Sequence, residues 1–495
     1  MNSKDIWKDS FGFDFPSLSA VPHISNSSKE IKKNSVFFAL QGTKSHGCQF
    51  IHEAFTKGAA FVVTDKMPEN INSENIFLVP DLEKKILNFL VQYYSIDITK
   101  IKFFGITGTN GKTSVAYLCY QLYKKTGNPS AYMGTLGFIS DEYQSTPKET
   151  TPDIFSLFKH LASLNNIEGL GLFLELSSHG LHQERLNMLD YEKVCIANIG
   201  SDHLDYHQTQ EDYERSKLSI LDLSQRSIPL VNYDVLEVMK KHKIKGYEMQ
   251  TFSDMQEKGD FLFRILPGEI DSYDVEISEL EKSKSIKFNT NLFPKFNITN
   301  LCTAIVILKN NLIKLNINKE IQNIALPKGR NTVFKSTSKH VIIDFAHNDA
   351  AMKNILASYK EKYKDIWVLF GCGGDRDRPK RSRMYKTAQI YASKIFFTSD
   401  NSRNEDFVSI KKDALPSDLP DSTSIIEDRE EAIESAVLSL PKDIPLLILG
   451  RGHEEFLDIK NKIIAHSDIS SVKRPGAYPV IPSSVSIRTT IASRL

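Results

Sequence analysis

The sequence predicts an α/β protein of three domains, and three observations carry that expectation. The 495 residues are too many for one core and suit about three domains at roughly 100–200 residues each. Short apolar runs alternate with amphipathic helical stretches along most of the chain, the rhythm of strands covered by helices. Strand, glycine-rich turn and helix follow one another in KFFGITGTNGKTSVAYLCYQLYKKTG, from Lys102 to Gly127, the order in which a parallel strand meets a phosphate.

Taken in order, residues 1–97 read as a small α/β unit with strands VFFAL (Val36 to Leu40) and AAFVVT (Ala59 to Thr64) and a helix LEKKILNFLVQYY (Leu82 to Tyr94). Residues 98–328 form a central block, opening on IKFFGIT and carrying the strands GLFLEL (Gly171 to Leu176) and VCIANI (Val194 to Ile199). Within it the charged, alternating stretch from Lys258 to Lys287 fits a β meander better than a helix. Residues 329–495 begin a third rhythm with HVIIDF, then a helix that places Met352, Ile355, Leu356 and Tyr359 on one face. DIWVLFG, KIFFTS and IPLLILG follow, separated by helices, the last with Ile433, Ala436, Val437 and Leu440 aligned. This spacing predicts a doubly wound parallel sheet.

The charge balance narrows function. With 62 basic and 61 acidic side chains there is no global field to hold a polyanion, which disfavours nucleic acid and membrane surfaces as partners and makes any phosphate recognition local. Cys48, Cys119, Cys195, Cys302 and Cys372 are odd in number and form no C-x-x-C pair, so they read as buried hydrophobes rather than disulfides or zinc ligands. The opening MNSKDIWKDSFGFDF mixes charges into its first residues and no run approaches a membrane span, so a cytoplasmic protein is expected.

The loop TGTNGKTS is the strongest local signal. Gly108, Thr109, Asn110, Gly111, Lys112, Thr113 and Ser114 lie where the backbone N–H groups of a helix start favour phosphate. Lys112 is placed to reach terminal phosphates and Thr113 to bind Mg²⁺. Gly105 precedes Gly111 by six positions rather than five, so the literal P-loop spacing is missed by one; a plain glycine turn is the competing reading. Val115, Leu118, Cys119 and Leu122 form the helix's apolar stripe, with Gly127 as its expected C-terminal cap.

Ligands of open parallel sheets sit beyond the carboxyl ends of strands, and polar clusters follow strands here. Glu175 ends GLFLEL and is a candidate Mg²⁺ ligand. After VCIANI come Asp202, His203, Asp205 and His207, which fit either a transition-metal site or a solvated loop with capping aspartates.

Taken together, TGTNGKTS, ELSSHGL, DHLDYH followed by Lys217, the N-x-x-N of FNITN, Gly329 with Arg330, and DFAH from Asp344 to His347 resemble the Mur ligase family. GGDRDRPKR, DNSR and GRGHEE resemble its branch that adds the third stem-peptide residue to a UDP-N-acetylmuramoyl-dipeptide. The resemblance spans essentially the whole chain in family order. It implies an ATP-dependent amide ligase with an N-terminal uridine-nucleotide domain, a central P-loop ATPase domain and a C-terminal Rossmann-like domain that brings the amino acid.

By this resemblance Lys112 and Thr113 serve ATP and Mg²⁺, Glu175 and His203 are metal ligands, and Lys217 is the lysine carbamylated by CO₂. Carbamylation turns a cation into an anionic oxygen ligand for the second of two Mg²⁺ ions, which an ammonium cannot be. Lys112, His203 and Lys217 are thus the expected catalytic residues. Asn300 and Arg330 fall on the adenine and phosphate side of ATP, and Asp344 on the ribose. Thr150, Thr151, Ser177, Gln183 and Arg185 match muramoyl-dipeptide positions, while Ser27, Thr43, Lys44 and Ser45 match uridine-site loops. Arg381, Asp400, Asn401, Ser402, Arg403, Gly450 and Glu454 fall on the amino-acid pocket. The reaction implied forms an acyl phosphate that an amine then attacks, in a monomeric enzyme whose partners are small-molecule substrates.

Departures from the family pattern are local. The uridine motif D-S-R is Asn26, Ser27, Ser28, and the G-x-x-x-D-G loop has His46 for aspartate. G-R-M-E becomes Gly329, Arg330, Asn331, Thr332; D-Y-A-H-T-P becomes DFAHND; D-N-P-R becomes DNSR, with Ser402 for a proline that would pre-set the turn. Arg403 remains, and a guanidinium can clamp a carboxylate with two hydrogen bonds, which suits the distal carboxylate of meso-2,6-diaminopimelate. L-Lysine or L-ornithine, a paralogous ligase of the folylpolyglutamate-synthase type or of secondary metabolism, and a non-enzymatic nucleotide switch are the alternatives.

Overall fold

The computed structural model describes residues 3–14, 22–42, 45–68, 73–146, 149–254, 258–269, 271–336, 339–460, 462–473 and 481–482. The chain divides into two compact units. One comprises Met1–Thr107, Thr126–Cys195 and Ser216–Pro229; the other comprises Gly108–Lys125, Ile196–Arg215 and Leu230–Leu495.

In the first unit, Ile24–Ser25, Ser35–Ala39, Ala59–Thr64 and Ile76–Leu78 form a parallel four-stranded sheet in chain order. Helix Leu82–Tyr94 spans the expected residues and buries Leu82, Ile86, Phe89 and Leu90, a spacing that keeps one apolar face inward. Phe89 meets Trp7 at 4.6 Å and Phe38 at 5.3 Å, and Phe38 meets Phe155 at 5.0 Å. Rings of this size dominate the burial of a small domain. The same unit holds Lys102–Thr107 parallel to Gly171–Glu175, which pairs on its other edge with Ser130–Gly134, also parallel. Every residue of Gly171–Glu175 is buried, which is why it reads as a continuous apolar run and not as an alternation.

In the second unit the charged stretch is indeed a meander: Phe261–Pro267, Tyr273–Glu279 and Lys284–Thr290 run antiparallel. Phe261, Phe263, Val275, Ile277 and Phe288 point inward, the period-two burial of a one-sided sheet. Helix Lys112–Lys124 packs on helix Lys295–Ile307. It stops at Lys125, whose N–H is shared between Gln121 and Leu122 carbonyls. Gly127, expected as the cap, lies two residues further on at φ +84°; the helix unwinds through a tighter turn first.

The last sheet of this unit has the spatial order Thr423–Ile425, Lys394–Thr398, Trp367–Gly371, Pro445–Leu449, His340–Asp344, Thr332–Lys335, Ile481–Pro482. The first five are parallel, and the two that follow each pair antiparallel with their neighbour. Met352, Ile355, Leu356 and Tyr359 cover one face with Met384 and Ile410, and Ile433, Ala436, Val437 and Leu440 cover the other, as a doubly wound sheet requires. All five cysteines are free and buried.

Arg429 ties the carboxyl ends of two of these strands. It pairs with Asp468 through two bonds of 2.8 Å and donates to the Ser399 and Leu449 carbonyls, each at 3.1 Å; both partners of the ion pair are fully buried. Burial would raise the Asp468 carboxyl, but Arg429 holds it below the usual carboxylate range. Arg429→Met should therefore strand a buried carboxylate and cost about 3–5 kcal/mol, read as a lower midpoint of thermal or urea unfolding. Because the folded carboxyl titrates below its unfolded value of about 3.9, the pair's contribution in the wild type is complete above that value and is lost as pH falls through the folded one. An unchanged midpoint in the variant would remove the pair from the stabilising set.

Candidate functional site

The phosphate loop is built by close approach. Strand Lys102–Thr107 delivers the chain into Gly108 to Gly111, and helix Lys112–Lys124 starts at once. Gly111 is at φ +86°, and a Cβ there would lie 2.8 Å from Asn300 Oδ1, so glycine is required both by conformation and by the neighbouring side chain. Asn198 fastens the loop: its carbonyl accepts from Thr109 N–H at 3.0 Å, its Oδ1 from Asn110 N–H at 2.9 Å, and its Nδ2 donates to Asn110 O at 2.9 Å. That is why the strand expected over Val194 to Ile199 is instead Tyr191–Ile196; Asn198 has left the ladder to hold the loop.

Lys112 folds back so that Nζ donates to Gly108 O at 2.7 Å and Thr109 O at 3.1 Å. Arg330 donates to Thr113 Oγ1 at 3.0 Å and lies 4.4 Å above the Phe345 ring. Lys112, Thr113, Asn300 and Arg330 are thus brought round one loop, as expected. Two cations, a hydroxyl and a helix start fit the phosphates of a Mg²⁺-bound nucleotide. Asp344 is buried and its oxygens accept from Asn331 N–H at 2.7 Å and Ala346 N–H at 2.8 Å. Burial pushes its carboxyl up. Its observed work is to fix the turn that aims Arg330.

In the first unit Glu175 is wholly buried at the end of its strand. Its carboxylate accepts from Thr135 N–H at 2.9 Å, from Thr135 Oγ1 at 3.1 Å and from the Tyr132 hydroxyl. Gly134 packs against it so closely that a Cβ would fall 2.2 Å from Oε1. Thr151 Oγ1 donates to Glu175 O at 2.8 Å and accepts from Ser177 N–H at 2.8 Å; Thr150 lies 3.3 Å from Thr135. Arg185 reaches Thr151 O at 2.6 Å, Gln183 Oε1 at 2.8 Å and the Glu149 carboxylate. The five expected dipeptide residues therefore share one polar patch. Sequence reasoning missed Tyr132, Gly134 and Thr135, which carry no motif of their own. Lys217 is 1% exposed on helix Gln210–Leu218.

Thr43 and Lys44 lie outside the described residues. Ser27 N–H donates to Ser25 Oγ at 3.0 Å, and the Ser45 carbonyl accepts from Gly42 N–H at 3.1 Å. His46 Nδ1 accepts from Cys48 N–H at 3.0 Å and Nε2 lies 2.7 Å from Asp65 Oδ1. The ring thus supplies the cap acceptor at the position where the aspartate pattern departs.

The transition-metal reading of Asp202, His203, Asp205 and His207 fails on partners. Asp205 pairs with Arg376 at 3.0 Å and Asp202 with Lys380 at 3.2 Å. Among the described residues no group of three or more His, Cys, Asp or Glu side chains is poised to hold a metal. His203 begins the short helix Leu204–His207, and its N–H donates to Asp202 Oδ1 at 3.0 Å.

Asp400, Asn401, Arg403, Gly450 and Glu454 gather beyond strands Lys394–Thr398 and Pro445–Leu449. Asn401 donates to Glu454 Oε2 at 3.0 Å and accepts from Arg451 Nη1 at 3.0 Å and Asp458 N–H at 2.9 Å. Ser402 is buried and needs no proline to set the turn, since Arg403 N–H donates to Asp458 O and Gly374 N–H to Asn401 O, both at 2.9 Å. Arg403, at φ +52°, donates through Nη1 to Gly374 O at 2.7 Å and Asn401 O at 3.2 Å. Burial first and Arg376 second lower its pKa; burial first and Asp400 raise that of Glu454.

Arg381, expected on the amino-acid pocket, is buried. It is 1% exposed and its guanidinium is engaged by Glu405, Asp413 and Gly373 O at 2.8–3.1 Å, which pulls the Glu405 carboxyl down to about 2. Of the two accessible guanidiniums of that motif, Arg378 is 65% and Arg376 44% exposed, and Arg376 is near enough to Arg403 to perturb it. Three arginines share one basic motif, and burial sets Arg381 apart from Arg376 and Arg378.

The fold and the loop define a P-loop α/β protein ending in a doubly wound domain. Family comparisons extend this: residues 21–90 match the Mur ligase family catalytic domain, 106–308 the Mur ligase middle domain, and 329–452 the Mur ligase glutamate ligase domain. The UDP-N-acetylmuramoyl-L-alanyl-D-glutamate–2,6-diaminopimelate ligase of Aquifex aeolicus is 32% identical over 92% of this chain and 94% of its own. UDP-N-acetylmuramyl-tripeptide synthetase 2 of Oceanobacillus iheyensis is 30% identical over 90% and 92%. A solved diaminopimelate ligase structure superposes with a TM-score of 0.61 at 25% identity, over 94% of this chain and 97% of that one. MurF of Thermotoga maritima in complex with ADP shares the fold, with a TM-score of 0.60 at 16% identity over 87% and 94%. The chain belongs to the Mur ligase family, whose members are ATP-dependent amide ligases. Among the described residues no helix is long and apolar enough to cross a membrane.

Gly134→Ala tests the Glu175 cradle. The added methyl must push the carboxylate aside, and a displacement near 1 Å typically costs roughly tenfold to a hundredfold in rate. Ligation should fall by that much while circular dichroism stays native; unchanged ligation would remove Glu175 from the reacting centre.

Proposed function

We propose that this chain ligates meso-2,6-diaminopimelate to UDP-N-acetylmuramoyl-L-alanyl-D-glutamate in peptidoglycan precursor synthesis, as a cytoplasmic monomer with domain boundaries near residues 97 and 328. One observation carries the choice of amino acid: the half-buried Arg403 guanidinium donates only to backbone carbonyls and forms no ion pair among the described residues. A cation held this way is ready for a ligand carboxylate. Asp400 and Glu454 stand near it, each paired through one oxygen with the buried Arg451 at 3.4 and 3.1 Å, and their remaining oxygens suit an ammonium group, so the pocket fits a second amino-acid centre that lysine and ornithine lack.

Amide formation from a carboxylate needs the oxygen turned into a leaving group, and ATP provides this as an acyl phosphate. Lys112 and Arg330 bind and neutralise the phosphates. By the family motifs Thr113, Glu175, His203 and a carbamylated Lys217 would hold Mg²⁺, which would supply positive charge to the transferring phosphoryl group. Asn300 and Asp344 take the nucleoside side of ATP. Thr150, Thr151, Ser177, Gln183 and Arg185 orient the muramoyl-dipeptide, and the loops at Ser27 and Ser45 the uridine nucleotide. In the amino-acid pocket Arg381 fixes Glu405 just after the DNSR turn, and Arg376 adds a more accessible guanidinium.

Phosphate release with the UDP-dipeptide and a panel of diamino acids tests donor, acceptor and reaction together. Diaminopimelate should give the highest kcat/KM, and preference for lysine would overturn the assignment. Arg403→Ala should lower kcat/KM for diaminopimelate by roughly tenfold to a hundredfold, the value of a charge-assisted hydrogen bond of about 1.5–3 kcal/mol, while the KM for ATP stays constant. Equal losses with lysine would make Arg403 a general support. Lys217→Ala should abolish ligation and regain part of it with formate or acetate, because the missing group is an anionic oxygen; full activity without rescue excludes the carbamate.

A further inference from the structure

Asp202 is a buried carboxylate with four neighbours of complementary character. Asn348 Nδ2 donates to its Oδ2 at 3.0 Å, Lys380 Nζ to its Oδ1 at 3.2 Å, and His203 N–H to its Oδ1 at 3.0 Å; His347 Nε2 stands at 3.6 Å. Asn348 is 1% exposed and works in two further directions. Its Oδ1 accepts from Ala351 N–H at 2.8 Å, capping helix Asp349–Lys362, and its Nδ2 lies 3.3 Å from Asn110 Oδ1 in the phosphate loop. Lys380 stands in the first turn of helix Arg378–Tyr391, next to Arg381, which anchors Glu405 in the segment after DNSR. Arg376 reaches Asp205 at 3.0 Å from the same motif.

These contacts form a continuous path from the phosphate loop through Asn348 and Asp202 to the loops that carry Arg376 and Arg403. The family pattern has threonine at position 348. A threonine hydroxyl can cap a helix but has one proton to donate, whereas asparagine caps through oxygen and offers two N–H donors. The asparagine therefore adds a link that a threonine cap would lack.

We infer that Asp202 and Asn348 are positioning residues that hold the amino-acid loops against the phosphate loop, and so decide whether the acyl phosphate is consumed by amine or by water. This inference rests on the ligase reading above. When the amine attacks, the acyl carbon gains a C–N bond, the C–O bond to phosphate breaks, and the amine loses a proton. When water attacks the same carbon, phosphate leaves equally and the carboxylate returns, so ATP is spent without an amide. Loosening the path lengthens the wait for the amine and admits water.

The experiment measures phosphate and UDP-muramoyl-tripeptide in the same reaction of the full-length enzyme. Asn348→Asp keeps the helix-capping oxygen, removes the donor and sets a second carboxylate beside Asp202. Lys380→Met removes the ion pair without touching the cap. Wild type should release one phosphate per amide; both variants should release several, up to about tenfold more for the loss of a hydrogen bond to a charged group. A general loss of structure lowers both products together and leaves the ratio alone. A ratio of one in either variant that keeps native circular dichroism overturns the inference. A wild type that hydrolyses ATP but forms no amide with any diamino acid overturns the ligase reading instead.

Discussion

Parallel strands of one sheet end with their polar backbone groups and their loops on the same edge, and within each unit this constraint organises the candidate residues. Ladder hydrogen bonds stop at Thr107, Glu175, Asp344, Thr398 and Leu449. Beyond each the chain must find other partners for its N–H and C=O groups. The phosphate loop, Ser177, the Asp344 turn, Asp400 to Arg403 and Gly450 are the segments that meet this need. Within the second unit Arg429 satisfies two of the freed carbonyls, at Ser399 and Leu449, so the loops that follow those strands start from a rigid edge.

Charge is distributed by purpose. Arg429 and Arg381 are buried with carboxylates and serve the scaffold. Removing either partner of such a pair is costly, while the pair itself adds little beyond specificity. Arg330 and Arg403 are held by a hydroxyl, an aromatic face and carbonyls. At Arg403 those partners fix the cation's position without an ion pair among the described residues, which leaves its field for an anionic ligand.

Where the chain departs from its family pattern, the local physics is kept by other means. His46 offers a ring nitrogen to Cys48 N–H where a carboxylate oxygen would serve as cap, and Asp65 orients the ring. Ser402 loses proline's fixed φ, but the turn is held from both sides by the Asp458 carbonyl and Gly374 N–H. Asn331, in place of methionine, donates to Phe293 O at 2.6 Å and accepts from Tyr359 at 2.8 Å. In each case a tertiary contact replaces a property of the residue itself.

The amino-acid sequence by itself determined the α/β class, helix Leu82–Tyr94, the meander, the strand–loop–helix at Lys112 and the order of the family motifs. These are local properties: apolar periodicity, glycine placement and the spacing of charged residues are written within a few turns of chain. Only the tertiary structure decided that the strand from Tyr191 stops short to release Asn198, that Arg381 is walled in while Arg376 and Arg378 keep solvent contact, and that Tyr132, Gly134 and Thr135 build the cradle of Glu175. Each depends on burial and on partners far away in sequence. A guanidinium 24 residues from the carboxylate that engages it carries no local mark of whether it will be a scaffold ion or a ligand clamp, because that choice is made by the solvent it loses and the partner it meets on folding.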